Sequence, residues 1–444
     1  MRQALVAAAE LYSNAAGTPS TGAQGFALLD WLGLSDLSDA ADREDLARLL
    51  RFAAKLDHLF ELRSPTAPGL CCFGAVASTS EYGAVVSATA SVSGVGQDRA
   101  TAFRACVAEA AEFVCQFESG EETRASSPGI RREGPDGSWH AATEAYAWNG
   151  LTGGRELDAS DWVWAERVTD GRWCRLPGIL TFRRGRGRDA NGLSYAMGVG
   201  VAAGRNAQEA ACHAILEWVE RDAVALWWRG GRSPAAVPME IFDGTGLAGR
   251  LGQYRDGLVE RRTWFLDLTT DLDIPVAAAL SVGRDGQGFA YGFAAATNLA
   301  DACRNALDEL LQIELADHLV AAKQRERGNE GLNETDRKHL ERFSKIGSDW
   351  PGLQAAKMGT AECRRNEDSR DAKEVLAYLA QRLEAHGHPV HLVDLTREDI
   401  AVPVIRAIVD GLQPDPSELV LPRLETQRQA SGLARIPGDA IALY

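Results

Sequence analysis

The sequence contains no Cys-x-x-Cys pair and no apolar run of about 18 residues. Its eight cysteines, Cys71, Cys72, Cys106, Cys115, Cys174, Cys212, Cys303 and Cys363, are scattered. Several lie inside alanine-rich helical patterns, where a free thiol is a small apolar filler. That distribution excludes a disulfide framework and a structural zinc site. With no long apolar run, no membrane span is expected. The N-terminus, MRQALVAAAELYSNAAG, is alanine-rich but is broken by Glu10, unlike a secretory h-region. A cytoplasmic chain is therefore expected. Basic residues are outnumbered, giving a net charge of −15. Such a surface repels phosphate backbones, so nucleic acid is not an expected partner. The same charge favours a cationic partner or peptide, and it also serves solubility.

What is present is an ordinary globular mix, 45% hydrophobic and 25% charged. With 444 residues, the chain needs two or three domains or one large intertwined domain. Residues 1–62 read as a helical segment, with apolar positions at helical spacing in RQALVAAAELY and DREDLARLLRFAAKLDHLFEL and a loop, GTPSTGAQG, between them. GLCCFGAVASTSEYGAVVSATASVSGVG reads as strands and turns, and DRATAFRACVAEAAEFVCQF as a helix. Residues 118 to about 165 are polar and glycine-rich, hence irregular, and RLPGILTF is a short strand. Helices are expected over Ala207–Trp228, from Leu299 to about Gln324, and near Lys373–His386. TWFLDLT, IPVAAALSV, VHLVDLT and VPVIRAIV read as strands, and residues 325–372 as a polar helical insertion. One stretch echoes another: DLTTDLDIPVAAAL (Asp267–Leu280) resembles DLTREDIAVPVIRAI (Asp394–Ile408). The chain is therefore expected to be an α/β protein with an internal pseudo-repeat, its helices packed on mixed sheets.

Three alanine-rich helices carry the chemistry. Glu109 and Glu112 lie in FRACVAEAAEFVCQ, Glu217 and Glu220 in EAACHAILEWVERDAVALWW, and Glu309 and Gln312 in CRNALDELLQIE. Each pair is spaced i, i+3 and shares one helix face. His213 lies four residues before Glu217, and Asn305 four before Glu309. One such pair alone is ordinarily a salt-bridged surface. Three pairs among Ala, Leu, Val, Cys and Trp are not, because a buried carboxylate costs several kcal/mol unless a cation or donor meets it. Hard oxygen ligands with few histidines favour Mg2+ over zinc. Mg2+ takes one or two carboxylates together with phosphate oxygens, so a nucleotide held through magnesium is the expected occupant. Other motifs are weaker. The histidines of HGHPVHL (His386, His388, His391) have no carboxylate at ligand spacing, FRRGRGRD reads as a solvated loop, and Trp227 and Trp228 read as core.

The segment GVAAGRNAQEAACHAILEWVERDA (Gly200–Ala223) resembles the YcaO family, the ATP-dependent peptide cyclodehydratases and thioamide-forming enzymes. SGVGQDRATAFRACVAEAAE (Ser93–Glu112), FAAATNLADACRNALDELLQ (Phe293–Gln312) and VPVIRAIVDGL (Val402–Leu412) resemble its other motifs. The resemblance implies a YcaO-like ATP-binding catalytic domain over residues 63–444. It implies that ATP and Mg2+ are bound, with Glu109, Glu112, Glu217, Glu220 and Glu309 on metal or phosphate. Gln312 and Asn305 would hold nucleotide or metal-bound water, Arg221 and Arg406 would face phosphates, and His213 would stand beside them. Glu217, Glu220 and Glu309 are the catalytic set it implies. The reaction it implies adds a Cys, Ser or Thr side chain, or sulfide, to a backbone amide. The amide oxygen then leaves as phosphate, giving an azoline, a thioamide or an amidine. The implied partners are a ribosomally made precursor peptide, a separate leader-binding protein, a flavin-dependent dehydrogenase, and further copies or chains in an oligomer. Two positions depart from the family pattern: Phe113 replaces an Arg and Val95 a Lys. The tail lacks a Pro-x-Pro-x-Pro ending.

Overall fold

A computed structural model describes residues 1–13, 19–35, 39–84, 86–118, 140–141, 162–183, 198–244, 246–358, 371–414, 420–433, 436 and 441–443. Cys363, Tyr444, most of FRRGRGRD and most of the 118–165 stretch lie outside these residues. The chain forms two compact units. The first comprises Met1–Leu62, Cys72–Ile215 and Arg370–Gly411, and the second Arg63–Cys71, Leu216–Ser369 and Leu412–Tyr444. None of the described helices is long and apolar enough to cross a membrane.

Helices α1 (Arg2–Tyr12), α2 (Pro19–Leu32) and α3 (Ala40–Ala53) open the chain. α3 buries Leu46, Leu49, Leu50 and Phe52, the stripe its sequence spacing requires. The stretch GTPSTGAQG, expected as a loop, falls largely inside α2. A Cβ on Gly25 would stand 2.8 Å from the backbone of Ala7 and Ala8, so this glycine lets α2 lie close against α1 rather than breaking it. DHLFEL, expected as helix, contains strand β1 (His58–Leu62), paired antiparallel with β2 (Cys71–Ser78) from His58↔Val76 to Leu62↔Cys72. Strand β3 (Thr89–Gly96) completes the sheet order β1-β2-β3, and α4 (Arg99–Cys115) packs on it. A Cβ on Gly94 would fall 2.1 Å from Cys106 N, so glycine sets how close α4 can come.

Next come β4 (His140–Ala141), β5 (Trp162–Arg167) and β6 (Trp173–Pro177). RLPGILTF, expected as one strand, is the end of β6 followed by a helical turn, α5 (Gly178–Thr181). Strand β7 (Val201–Ala203) leads into α6 (Ala207–Trp228), which has the bounds read from sequence. The division between the units falls within α6, after Ile215.

The second unit contains β8 (Ala235–Ala236), α7 (Met239–Gly244), α8 (Leu247–Arg255), β9 (Arg261–Asp267), β10 (Val276–Gly283) and β11 (Ala290–Ala295). α9 (Leu299–Arg327) packs along β11 and β10. It runs past the expected end near Gln324, and α10 (Glu334–Lys345) follows, its capping box made by Asn333 and Asp336. β12 (Lys357–Met358) closes the sheet β11-β10-β9-β8-β12. Back in the first unit, α11 (Ala372–Ala385), β13 (Val390–Asp394) and β14 (Val404–Val409) complete the sheet β4-β6-β5-β13-β14-β7. The tail, with no element read in it, forms α12 (Pro422–Ser431) in the second unit. Its last described residues are held by Trp228, whose indole donates to Ile441 O at 2.7 Å, and by Arg342, which donates to Leu443 O at 2.7 Å.

The echo in the sequence is an echo in hydrogen bonds. Asp267 and Asp394 each accept the N–H two residues on, from Thr269 and Thr396, both at 2.8 Å. Those threonine hydroxyls then accept the N–H of the returning strand, Val276 at 3.2 Å and Val404 at 3.1 Å. Each turn also holds a left-handed non-glycine residue, Asp273 at φ 51° and Ala401 at φ 60°. The strands so joined, β9 with β10 and β13 with β14, are both antiparallel.

The tight approach of α9 to its sheet yields a paired prediction. A Cβ on Gly292 would stand 2.2 Å from both Ala306 O and Leu310 N, backbone atoms that cannot swing aside. Gly292→Ala should lower stability by about 3 kcal/mol. Gly249→Ala in α8 meets nothing within 4 Å and should be neutral or stabilising by up to about 1 kcal/mol. Urea denaturation midpoints of the two variants check both signs.

Candidate functional site

The three expected pairs all stand on helices that follow strands, at one fixed distance from the residue that starts each helix. Asp98 accepts Thr101 N–H at 2.8 Å, Asn206 accepts Glu209 N–H at 2.9 Å, and Asn298 accepts Asp301 N–H at 2.8 Å. Eleven and fourteen residues after Asp98, Asn206 and Asn298 come Glu109 and Glu112, Glu217 and Glu220, Glu309 and Gln312. Eleven residues make about three turns, so the first member of each pair lies directly above its cap. One strand–cap–helix unit is used three times.

In the first unit, Glu109 and Glu112 are part-buried and bound to backbone. Glu109 Oε2 accepts Ser93 N–H at 3.2 Å, and Glu112 Oε1 accepts Ala203 N–H at 2.8 Å. His213 Nδ1 lies 3.2 Å from Ala203 O, so both ends of the β7 terminus are held.

In the second unit, Glu309 repeats the bond of Glu109: its Oε2 accepts Phe293 N–H at 2.7 Å. Each carboxylate thus takes the N–H of the residue sixteen before it, on the strand preceding its helix. On α6, Arg221 donates to Glu217 at 3.4 Å and to Glu220 at 2.5 Å. Burial raises the Glu309 pKa above the ordinary carboxylate range, with the charge of Glu217 adding to it. Arg221 and the Phe293 N–H oppose the rise. Carboxylates from two helices distant in sequence therefore act on one arginine. Tyr291, on β11, feels the same charges: burial raises its pKa, Glu309 adds to the rise, and Arg342 and Arg221 oppose it. Its hydroxyl donates to Leu443 O, which links the anchored tail to this cluster. Gln312 is part-buried on the next turn of α9, and Asn305 is exposed one turn earlier.

Arg406 is fully buried in the first unit and donates to the carbonyls of Thr181 at 3.1 Å and Val199 at 2.7 Å. It ties α5 to the segment that enters β7. Phe113 is 8% exposed and packs edge-on against Phe117, centroids 5.1 Å apart, and Val95 is buried. The same helical position is Arg221 in α6 and Ile313 in α9, so of the three helices α6 keeps an arginine after its pair.

The profile described as YcaO cyclodehydratase, ATP- and Mg2+-binding, matches residues 93–413. The chain belongs to the YcaO family. The chain is 26% identical over 352 residues to an uncharacterized protein of Methanothermobacter thermautotrophicus, covering 78% of this chain and 86% of the other. Its fold is similar to a heterocyclase in complex with substrate and cofactor (TM-score 0.65, 22% identity, 86% of this chain). It spans about half of that heterocyclase, 54%. The YcaO protein of Methanopyrus kandleri bound with AMPPCP and Mg2+ matches at TM-score 0.58 and 20% identity, over 87% of this chain and 96% of the other.

Other expected residues have structural work. His386 and His388 lie near backbone carbonyls, of Arg382 at 2.8 Å and Asp410 at 2.9 Å, and burial pushes His391 down to about 4. Trp227 and Trp228 are core. Sequence reasoning missed Asp222, the residue after Arg221. It is fully buried, accepts Gln413 N–H at 3.0 Å and pairs with Arg423 at 2.8 Å. It anchors the chain beyond Leu412 to the acidic helix. A charged residue between Arg221 and an apolar run was the available signal.

Glu309 makes stability depend on pH. A raised pKa means that the folded chain holds the proton more tightly than the unfolded one. The resulting stability is present below the ordinary glutamate range and lost as pH rises through the raised value. Glu309→Gln should therefore stabilise the nucleotide-free protein at neutral pH by about 1 kcal/mol, with the gain vanishing near pH ~4. Thermal melts of both proteins across that interval test the sign.

Proposed function

We propose that this YcaO chain couples ATP to activation of a peptide backbone amide in the maturation of a ribosomally made peptide. The reaction class is azoline-forming cyclodehydration of a Cys, Ser or Thr residue. The carrying observation is the placement of Glu309, which accepts Phe293 N–H and lies in the fields of Glu217 and Arg221. A carboxylate desolvated beside a like charge is a place where a cation would relieve both.

The residues fit magnesium and a nucleotide. Their donors are carboxylate and amide oxygens. Among the described residues no three His, Cys, Asp or Glu side chains close on one point, so a cage made wholly of protein ligands is not offered. Mg2+ ordinarily shares one or two carboxylates with phosphate oxygens and water. In this reading Glu217, Glu220 and Glu309 would hold metal in the second unit and Glu109 and Glu112 in the first. Gln312 and Asn305 would hold nucleotide or metal-bound water. Bound MgATP supplies the phosphoryl group that turns an amide oxygen into a leaving group. Arg221 would lend positive charge where negative charge develops, and the backbone bonds of Glu109, Glu112 and Glu309 would keep those side chains from reorganising. His213 and Arg406 are positioning residues here: His213 fixes Ala203 O, and Arg406 fixes Val199 and Thr181.

A precursor peptide is the proposed substrate, presented by a separate leader-binding protein, with a flavin-dependent dehydrogenase acting afterwards on an azoline. A thioamide or amidine product would use the same activation with another nucleophile. A non-catalytic scaffold is the second reading, favoured by Phe113, a buried aromatic side chain at the position where α6 carries Arg221.

The test is phosphate release by the purified chain with precursor peptide, partner and MgATP, read together with the peptide's mass. Loss of one water marks an azoline or an internal amidine, which acid hydrolysis and fragment masses at the Cys, Ser or Thr residue separate, and exchange of oxygen for sulfur marks a thioamide. Glu217→Ala and Glu309→Gln should each lower peptide-dependent phosphate release by at least about 100-fold, and chelation of Mg2+ should abolish it. Unaltered ATP consumption in both variants would sink the assignment. A peptide bound but never modified, with no phosphate released, would favour the scaffold.

A further inference from the structure

The first unit contains a cavity of about 470 Å3 that none of the expected site residues lines. Its floor and one wall are a face of the six-stranded sheet: Trp164 on β5, Trp173 on β6, Leu392 on β13 and Ile405 on β14. Its other wall is made by the first turns of α6 and α11, through Ala207, Ala211, Leu376 and Ala377. The alanines leave the space open. Ala211 and Ile405 are part of a small core with Leu376 and Leu392 packed against it, so the walls are fixed by the fold. The cavity lies on the far side of α6 from His213, because two residues along a helix from Ala211 turn about 200°.

The lining is apolar below and charged at the mouth. Glu166 and Lys373 are exposed, on β5 and α11, and Asp394 adds a second carboxylate, one oxygen of which accepts Thr396 N–H. Two carboxylates against one ammonium favour an occupant with positive charge. Two indoles and four aliphatic side chains larger than alanine, Val168, Leu376, Leu392 and Ile405, favour one with an apolar body. The volume is within the usual range of small-ligand sites, roughly 300–1,000 Å3, and exceeds what a single ion needs. The net charge of the chain, −15, would draw the same kind of occupant from a distance.

We propose that this cavity is a docking site for a peptide segment in which an apolar side chain is flanked by basic residues, the apolar group lying over Trp164 and Trp173 and a flanking cation meeting Glu166 and Asp394. The inference rests on the peptide-modifying reading above. It adds to it a second contact with the substrate, away from the acidic side chains themselves, that would select which peptides are held.

The test is isothermal titration of the full chain, without nucleotide, with two blocked tripeptides, acetyl-Lys-Trp-Lys-amide and acetyl-Glu-Trp-Glu-amide. The basic peptide should bind at least tenfold more tightly than the acidic one. Ala377→Phe, at an exposed helical position, should weaken the basic peptide at least tenfold by filling the mouth. Glu166→Lys should weaken it at least fivefold. Lys373→Glu should tighten it several-fold, a gain that misfolding cannot produce. Equal affinities for the two peptides, no binding of either, or a Lys373→Glu variant no tighter than the parent would overturn the proposal. Because no nucleotide is present, these outcomes are independent of amide activation. A chain that binds the basic peptide but releases no phosphate with any precursor keeps this site and loses the catalytic reading. The converse result loses only this site.

Discussion

The structure around the acidic helices turns on a charge that the fold makes expensive. Glu309 is part-buried on α9, held by one backbone N–H of the strand before it, and set within the field of Glu217. Arg221 opposes the cost without removing it, since it is also bound by Glu217 and Glu220. The raised pKa marks the part of that cost which the N–H and the guanidinium leave unmet. Most of what surrounds it serves to hold the pieces still. Glycine at Gly292 lets α9 approach the sheet, Asn298 sets where the helix begins, and Tyr291 connects the carboxylate's surroundings to a tail anchored by Arg342 and Trp228.

The repeated strand–cap–helix unit explains why so much of this was legible. The acidic pairs announced themselves because carboxylates at one-turn spacing among alanines conflict with ordinary burial. α6 could be bounded from sequence because its apolar positions recur at helical spacing over 22 residues with no glycine or proline between them. The Asp-Leu-Thr echo was legible for a related reason. A short polar side chain that closes a turn, followed by a hydroxyl that accepts from the returning strand, demands the same residue types at the same offsets wherever it occurs. Asp267 with Thr269, and Asp394 with Thr396, meet that demand with matching bonds.

What was not legible lies where tertiary packing overrules local preference. The glycines of GTPSTGAQG signal a loop by propensity, yet Gly25 serves the contact between α1 and α2, a relation between residues far apart in the chain. DHLFEL continues a helical pattern, but its backbone finds a partner in β2. The partners of the carboxylates were equally hidden, because Ser93, Ala203 and Phe293 contribute main-chain N–H groups, and a main-chain donor has no sequence signature. Arg406 was legible as a residue of consequence. Its contacts with Thr181 O and Val199 O required the fold.

The three copies of the unit have diverged, and the divergence gives them unequal parts. In α4 the position after the pair is Phe113, packed on Phe117, and both glutamates of that helix are bound to backbone. In α9 the second glutamate is replaced by Gln312, which removes one charge from the neighbourhood of Glu309. In α6 alone of the three, both glutamates and the following arginine are present, and the next residue, Asp222, anchors the helix to Gln413 and Arg423. A set of carboxylates that all ionised without compensation would not fold. Neutralising one position, binding others to N–H groups and placing a fixed guanidinium at a third lets the chain keep five glutamates on apolar helices. Within the second unit that division sets Arg221 between its own helix's glutamates and the field of Glu309, while within the first the two glutamates of α4 are held by main-chain N–H groups.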